Sequence, residues 1–280
     1  MPWFDPYRVP SASVGSVRAP AVAGAFYPAS ASRLEAAVSA YLKTARLPQM
    51  DGVVRAVIAP HAGYIYSGPI AGHSFKALSP LPDDATVYLL GPAHYVPVRD
   101  VAVGDFTQME TPLGAVSVDV ARGRSLAKNS ACITIQNDAH LPEHSLEVEL
   151  PFLQMIAQTR FNVIPMLFGQ PNVECVAHAL LPDIADDPNV RIVVSSDLSH
   201  YHPYSTARRL DAAFIEAVLS GDLTAVIRGE ACGRYPIAAL MRIAKALGWA
   251  PHLLDYRNSG DTTGDKRQVV GYVAIAYTEE

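Results

Sequence analysis

Five segments of this chain are nearly continuous in apolar, largely β-branched residues: Val53–Ala59, Thr86–Leu90, Phe161–Phe168, Arg191–Ser195 and Val269–Tyr277. None shows the polar alternation of a half-exposed strand. Strands of that kind are covered on both faces, as in a sheet with helices packed against each side. Between them apolar residues recur at helical spacing, which predicts helices over Ser32–Thr44, Ser67–Ala77, Val120–Lys128, Ser145–Gln158, Val173–Ile184, Thr206–Ser220 and Ile237–Leu247. Pro151 falls inside the fourth and must kink or split it, because proline removes a backbone hydrogen bond and collides with the preceding turn. The alternation implies an α/β fold, a single-domain sandwich with a central mostly parallel or mixed sheet covered by helices. Residues 1–18, rich in Pro, Ser and Val without a period, read as an extended N-terminal arm, and residues 19–280 as one α/β domain.

Bulk properties narrow the class of partner. Half of the 280 residues are hydrophobic and the formal net charge is −5, so a large core is available and the basic face of a nucleic-acid binder is not. The short basic clusters Arg122-Gly123-Arg124 and Arg208-Arg209 read as solvated helix faces. No apolar run reaches the length of a membrane span, and Met1–Pro6 lacks the basic start and apolar stretch of a signal peptide. Three cysteines, Cys132, Cys175 and Cys232, with no CxxC spacing, do not form a disulfide framework and suit a reducing compartment. Cys132 and Cys175 read as plain core or surface thiols. A cytoplasmic protein without nucleic-acid or membrane partners is expected.

The chemistry is concentrated in strand-to-loop junctions, where ligands of open α/β sheets gather. His61 follows the strand Val53–Ala59 in Ala59-Pro60-His61-Ala62-Gly63-Tyr64, and His94 follows Thr86–Leu90 in Gly91-Pro92-Ala93-His94. One histidine in a loop is most simply a turn residue, but the repeat of strand, proline, small residue and histidine points to a shared metal. Cys232, in Ala231-Cys232-Gly233-Arg234, precedes a helix; a helix N-terminus and a neighbouring arginine would lower its pKa and ready it as a ligand or nucleophile. Asp197 and His200 lie three apart after Arg191–Ser195. Asp197 suits a turn cap as well as catalysis, and His200 suits a ligand or a general acid/base. His202 reads as an exposed neighbour. His144 stands beside Glu143 at a helix start and is equally suited to a pocket or a structural role, whereas His73, His140, His178 and His252 read as structural or exposed.

Taken together the motifs resemble the Memo-like family, the B component of the AmmeMemoRadiSam system. They are APHAGYIYSG (Ala59 to Gly68), LGPAHYVPV (Leu90 to Val98), EHSLEVELPF (Glu143 to Phe152), SSDLSHY (Ser195 to Tyr201) and ACGRYPI (Ala231 to Ile237), and the match starts at Arg18. The resemblance implies a fold similar to class III extradiol dioxygenases, the non-haem iron enzymes that open catechol rings. It implies His61, His94 and Cys232 as metal ligands, His200 as the acid/base histidine with Asp197 beside it, and His144 near the pocket. Cys232 stands where the dioxygenases carry a glutamate, and a thiolate favours softer metals. Members of the family are linked to iron or copper and redox chemistry, and some in eukaryotes to phosphotyrosine-bearing peptides.

The expected function is therefore a mononuclear non-haem metal oxidoreductase, dioxygenase-like, acting on a small substrate, with iron foremost and copper or zinc as alternatives. His200 would move a proton, and Asp197 or Glu143 would orient its ring. The alternatives are a non-catalytic metal-binding partner acting with radical-SAM and AMMECR-like proteins, and a metal-dependent hydrolase. Convergence of His61 Nε2, His94 Nε2 and Cys232 Sγ to roughly 4–5 Å of one another is the geometric requirement, since ligand distances are about 2.0–2.3 Å.

Overall fold

The computed structural model describes residues 17–280. Its strands are β1 (Val17–Arg18), β2 (Val53–Ala59), β3 (Thr86–Pro92), β4 (Val101–Val103), β5 (Gln108–Thr111), β6 (Gly114–Val118), β7 (Ile133–Ile135), β8 (Asn162–Phe168), β9 (Val190–Ser195), β10 (His200–His202), β11 (Ala250–Asn258) and β12 (Val269–Glu279). They form one mixed sheet in the order β1-β5-β6-β8-β3-β9-β2-β12-β10, with β11 added to β12 and β4 joining β7 to β8. The central run β6-β8-β3-β9-β2 is parallel, and β12 closes on β2 antiparallel.

Each central strand is buried on both faces, as its composition requires. On β3, Tyr88 and Leu90 enter one apolar layer while Val87 and Leu89 enter the other; on β2, Ile58 and Val57 divide the same way. The first layer is closed by α3 (Val120–Asn129), α6 (Val173–Asp186), α7 (Tyr204–Ser220), α8 (Leu223–Arg228) and α9 (Arg234–Leu247). The second is closed by α1 (Ala31–Thr44), α2 (Tyr64–Leu78) and α5 (Leu150–Ile156). Two further short helices, α4 (Asn137–His140) and α10 (Ser259–Thr263), belong to connections. Pro151 splits the predicted 145–158 helix: a 3₁₀ turn covers Glu147–Glu149 and α5 begins with the proline in its first turn, where no backbone donor is lost.

The last two positions of the expected arm, Val17–Arg18, pair with β5; the rest of that stretch lies outside the described residues. Arg18 is fully buried in an ion pair with Glu147, and its guanidinium also donates to the carbonyls of His140 and Glu143. Glu147 further accepts from the backbone of Ala21 and Val22 and from the Tyr27 hydroxyl. This cluster nails the N-terminal segment to the 140–149 stretch.

Cys132 and Cys175 are joined in a disulfide, contrary to the expectation of plain thiols, and only Cys232 is free. The 43-residue separation conceals the pairing: β7 hangs on β4 at the sheet's side, α3 packs against both β7 and α6, and the Cα atoms lie 6.3 Å apart, within disulfide reach. Two of the three cysteines are thus paired, so the cysteines do not mark a reducing compartment. Among the described residues no helix is long and apolar enough to cross a membrane.

Two measurements check this framework. Glu147→Gln leaves the buried Arg18 guanidinium uncompensated and should cost about 3–5 kcal/mol of unfolding free energy; a loss below 1 kcal/mol in denaturant titration contradicts the anchoring role. His140 is buried with Nε2 3.1 Å from the Ala102 carbonyl, and burial pushes its pKa down to about 3. The unfolded chain, titrating near 6.5, takes up this proton first, so stability present above pH 6.5 should fall toward pH 3 by up to about 1.4 kcal/mol per unit. The stability of His140→Gln should fall less steeply between pH 6.5 and 4.5, and an unchanged slope refutes the assignment.

Candidate metal centre

The site lies beyond the carboxyl ends of β2, β3 and β9. β9 runs between the two histidine-bearing strands, so its own end, Ser195 to Asp197, fills the space under both imidazoles. Two glycines permit the close approaches this needs. A Cβ on Gly91 would come within 2.7 Å of Leu146, and one on Gly233 within 2.5 Å of the Ser196 side chain. The first lets the 145–146 segment lie on the end of β3. The second lets the turn carrying Cys232 close on the end of β9.

One ligand atom each from His61, His94 and Cys232 lies within 4.8 Å of the other two. Cys232 Sγ is 3.3 Å from His61 Nε2, and the His61 and His94 rings meet edge-on with centroids 5.2 Å apart. Ligand bonds of about 2.0–2.3 Å around one ion need spacings of this order. Asp197 grips two of the three: its carboxylate accepts from the His61 backbone N–H at 2.9 Å, and its own N–H donates to Cys232 Sγ at 3.2 Å. His144 packs nearly parallel to His94, with centroids 4.7 Å apart, and against Phe26 on its other side.

The hydrogen bonds decide which ring nitrogens are free. His94 Nδ1 lies 2.9 Å from Glu143 Oε1, and Glu143 also accepts from the backbone of His94, His144 and Ser145. Burial alone would raise the Glu143 pKa, but the donors of His144 and His94 outweigh it and hold the carboxyl well below the ordinary range. His94 Nδ1 therefore carries the proton and Nε2 is open. For His61 the argument runs through Ser195, whose hydroxyl has one proton and two lone pairs. That oxygen is 2.6 Å from the Ser145 carbonyl, 2.7 Å from His61 Nδ1 and 2.9 Å from Glu149 Oε1. A carbonyl only accepts, so the serine proton goes there. His61 Nδ1–H and a protonated Glu149 carboxyl then both donate to Ser195. Burial pushes Glu149 well up, in keeping with a neutral acid, and its second oxygen has no partner among the described residues. His61, whose own pKa burial drives well down, presents a neutral imidazole with Nε2 directed at Cys232.

Cys232 departs from its sequence-based expectation. Its thiol is pushed up to about 12, chiefly by burial and next by Asp197, and the nearby donors offset only part of this. Helix N-terminus and Arg234 do not prevail over desolvation. Such a thiol is a poor free nucleophile and suits a ligand that releases its proton when a metal binds. Two neutral imidazoles and one thiol fit a single ion with open positions.

His61, His94, His144, Asp197 and His200 all line one cavity of about 650 Å³. Burial lowers the His200 pKa, so the ring is neutral near pH 7. The carboxylates expected to orient it are engaged elsewhere, Asp197 with the His61 backbone and Glu143 with His94. His202 sits outside, paired with Glu230 at 2.6 Å. Sequence reading missed Ser195 and Glu149, because their role arises only from long-range contact. It also missed the cavity wall of Phe26, Tyr66, Tyr95 and Tyr201; Tyr201 stands in the left-handed region at φ 61°, where non-glycine residues are uncommon.

Fold and site together define a mixed α/β sandwich carrying a His/His/Cys cluster at the carboxyl edge of its parallel strands. In solved structures the fold is shared with an uncharacterized protein, JW3007, from Escherichia coli K12, at TM-score 0.52 and 13% identity, covering 80% of this chain and 99% of that one. The chain belongs to the Memo-like protein family, whose profile matches residues 18–276. Relatives described as MEMO1 family proteins include one from Nitrosopumilus maritimus, 38% identical over 274 residues (93% of this chain, 99% of the relative). Another, from Aeropyrum pernix, is 37% identical over 279 residues, with 92% and 99% covered.

Removing the acceptor for His61 Nδ1 should loosen the centre. Ser195→Ala is expected to weaken metal binding by about 10–100-fold, the usual effect of losing such a supporting bond. Glu149→Gln, a neutral isostere that can still donate to Ser195, should bind metal as the wild type does. Equal loss in both variants, measured by competition with a chromogenic chelator, would contradict the protonated Glu149.

Proposed function

We propose that this protein is a mononuclear non-haem metal oxidoreductase, dioxygenase-like, with His61, His94 and Cys232 as the protein ligands. The observation supporting this reading is the convergence of three ligand atoms within 4.8 Å beside a cavity that also holds His200. A bound iron ion would supply a Lewis-acidic, redox-active point for O₂ and an oxygen-bearing substrate, with copper or zinc as the other occupants a thiolate-containing set favours. His200, neutral near pH 7, accepts the proton of a substrate hydroxyl, as a general base must. His144, flat against His94, narrows the cavity beside that ligand. Asp197 acts as a positioning residue that keeps the His61 backbone and the Cys232 sulfur in register.

A second reading, a metal-binding partner without turnover of its own that works with radical-SAM and AMMECR-like proteins, draws on a different observation. Ile65, Tyr95 and Tyr201 are 73%, 55% and 69% exposed, and both tyrosines line the cavity; apolar surface of this kind often marks docking sites. Metal analysis of anaerobically purified protein tests the shared premise. The wild type should carry a single ion per chain, and His61→Ala and Cys232→Ala should lose it while remaining folded. Unchanged metal content in both variants overturns the site. O₂ uptake with a catechol by the iron-loaded protein alone favours the oxidoreductase, and its absence favours the partner.

A further inference from the structure

His94 and Cys232 line a second cavity, of about 440 Å³, distinct from the aromatic one that holds His200. Its ionisable lining consists of these two residues, Tyr235 and two arginines, Arg99 and Arg234; no aspartate or glutamate faces it among the described residues. In a chain of net charge −5 this local excess of cation stands out. Arg234 is half-buried, with its guanidinium over the Tyr235 ring at 5.1 Å. Among the described residues it makes no ion pair and no side-chain hydrogen bond, whereas Arg18, Arg55, Arg122, Arg124 and Arg242 are each paired with a carboxylate. A partly desolvated, stacked guanidinium with unused donors is a fork for a planar oxyanion. Arg99 adds little fixed charge: its side chain is 96% exposed and leans on Asp100 at 3.4 Å.

From this we propose that Arg234 binds the carboxylate of a small organic acid in the second cavity, and that the substrate of the metal centre is such an acid. One uncompensated guanidinium balances one negative charge, which favours a carboxylate over a phosphate dianion. Pro97, Val98 and Phe168 give the rest of the molecule an apolar wall, and the volume falls in the range of small-molecule sites. Cys232 and His94 line the same cavity as Arg234, so an acid anchored at Arg234 shares it with two of the proposed ligands. Calling the acid a substrate rests on the proposed metal function; its binding at Arg234 does not.

The test uses the full chain in metal-free form, so that its failure is separable from failure of the metal assignment. Benzoate and benzamide, alike in shape and different in charge, are titrated while the Arg234 Nε–H resonance is followed by NMR. Benzoate should shift that resonance saturably and bind about tenfold or more tighter than benzamide, the change expected for a charge-assisted hydrogen bond. Arg234→Gln should lose that advantage, and Arg234→Lys, which keeps the charge without the fork, should retain part of it. Equal binding of the two probes, no binding of either, or wild-type benzoate affinity in Arg234→Gln overturns the proposal. Inorganic phosphate binding tighter than benzoate overturns the carboxylate assignment. Should Arg234→Gln fail to fold, the wild-type probe comparison and the Arg234→Lys variant still decide.

Discussion

The buried ion pair between Arg18 and Glu147 is the joint on which the site depends. It fastens the first described strand to the 140–149 stretch, and that stretch supplies Glu143, His144, Ser145 and Glu149 to the surroundings of the candidate site. A buried pair contributes little net stability over an apolar substitute, because both charges must leave water. Its effect here is positional. Arg18 donates to the carbonyls of His140 and Glu143, so the backbone leading into His144 has only one way to lie. Within seven residues three buried carboxyls then take three different states. Glu143 is ionised by its ring of donors, Glu147 pairs with arginine, and burial pushes Glu149 well up, toward the neutral acid.

Those states translate directly into ligand readiness. An ionised Glu143 fixes the proton of His94 on Nδ1, and the Ser145 carbonyl, by taking the Ser195 proton, fixes that of His61 on the same atom. Neither Nε2 carries a proton of its own, and that of His61 faces the Cys232 thiol at 3.3 Å. Only the thiol must give up a proton, and it sits where burial discourages charge unless a cation compensates. A dication bound by two neutral imidazoles and one thiolate keeps one unit of positive charge. The acid proposed for Arg234 would carry the charge that balances it, on the Cys232 side of the site.

How much of this was legible in the sequence depended on the range of the interactions involved. The five apolar segments all form strands, because a strand buried on both faces is apolar nearly throughout, with Arg55 and Arg191 as isolated exceptions near the strand starts. Two predicted helix starts fell late: α2 starts at Tyr64 rather than Ser67, with Pro69 inside it, and α9 at Arg234 rather than Ile237; each follows a glycine that makes no side-chain cap, so no capping residue marks the start in the sequence. The short strands β4 to β7, the long β11 and helix α8 were not read, because edge pieces of three to five residues carry too little periodicity and β11 is only partly buried. His61, His94 and Cys232 were legible as local motifs. The Cys132–Cys175 bridge, the acidity of Cys232 and the Ser195–Glu149 support were not, for each is set by distant residues that the sheet brings together.

The sheet order also explains why the repeated strand-proline-histidine motif works without its two strands being neighbours. β9 separates β2 from β3, so their ends stand two strand spacings apart, about 10 Å. That is too wide for two histidines rising straight from adjacent strands and sharing an ion. Each imidazole instead leans inward over the end of β9, and the rings meet at 5.2 Å. The intervening strand therefore has to end in small, hydrogen-bonding residues. Ser195 props the His61 ring, Ser196 accepts from the backbone of the Cys232 turn at Gly233, and Asp197 ties both together. A bulky or apolar residue at Ser195 would occupy the space into which His61 leans and leave its Nδ1 without a partner. The Ser-Ser-Asp sequence at this edge is thus as much a condition of the His61, His94 and Cys232 convergence as those three residues themselves.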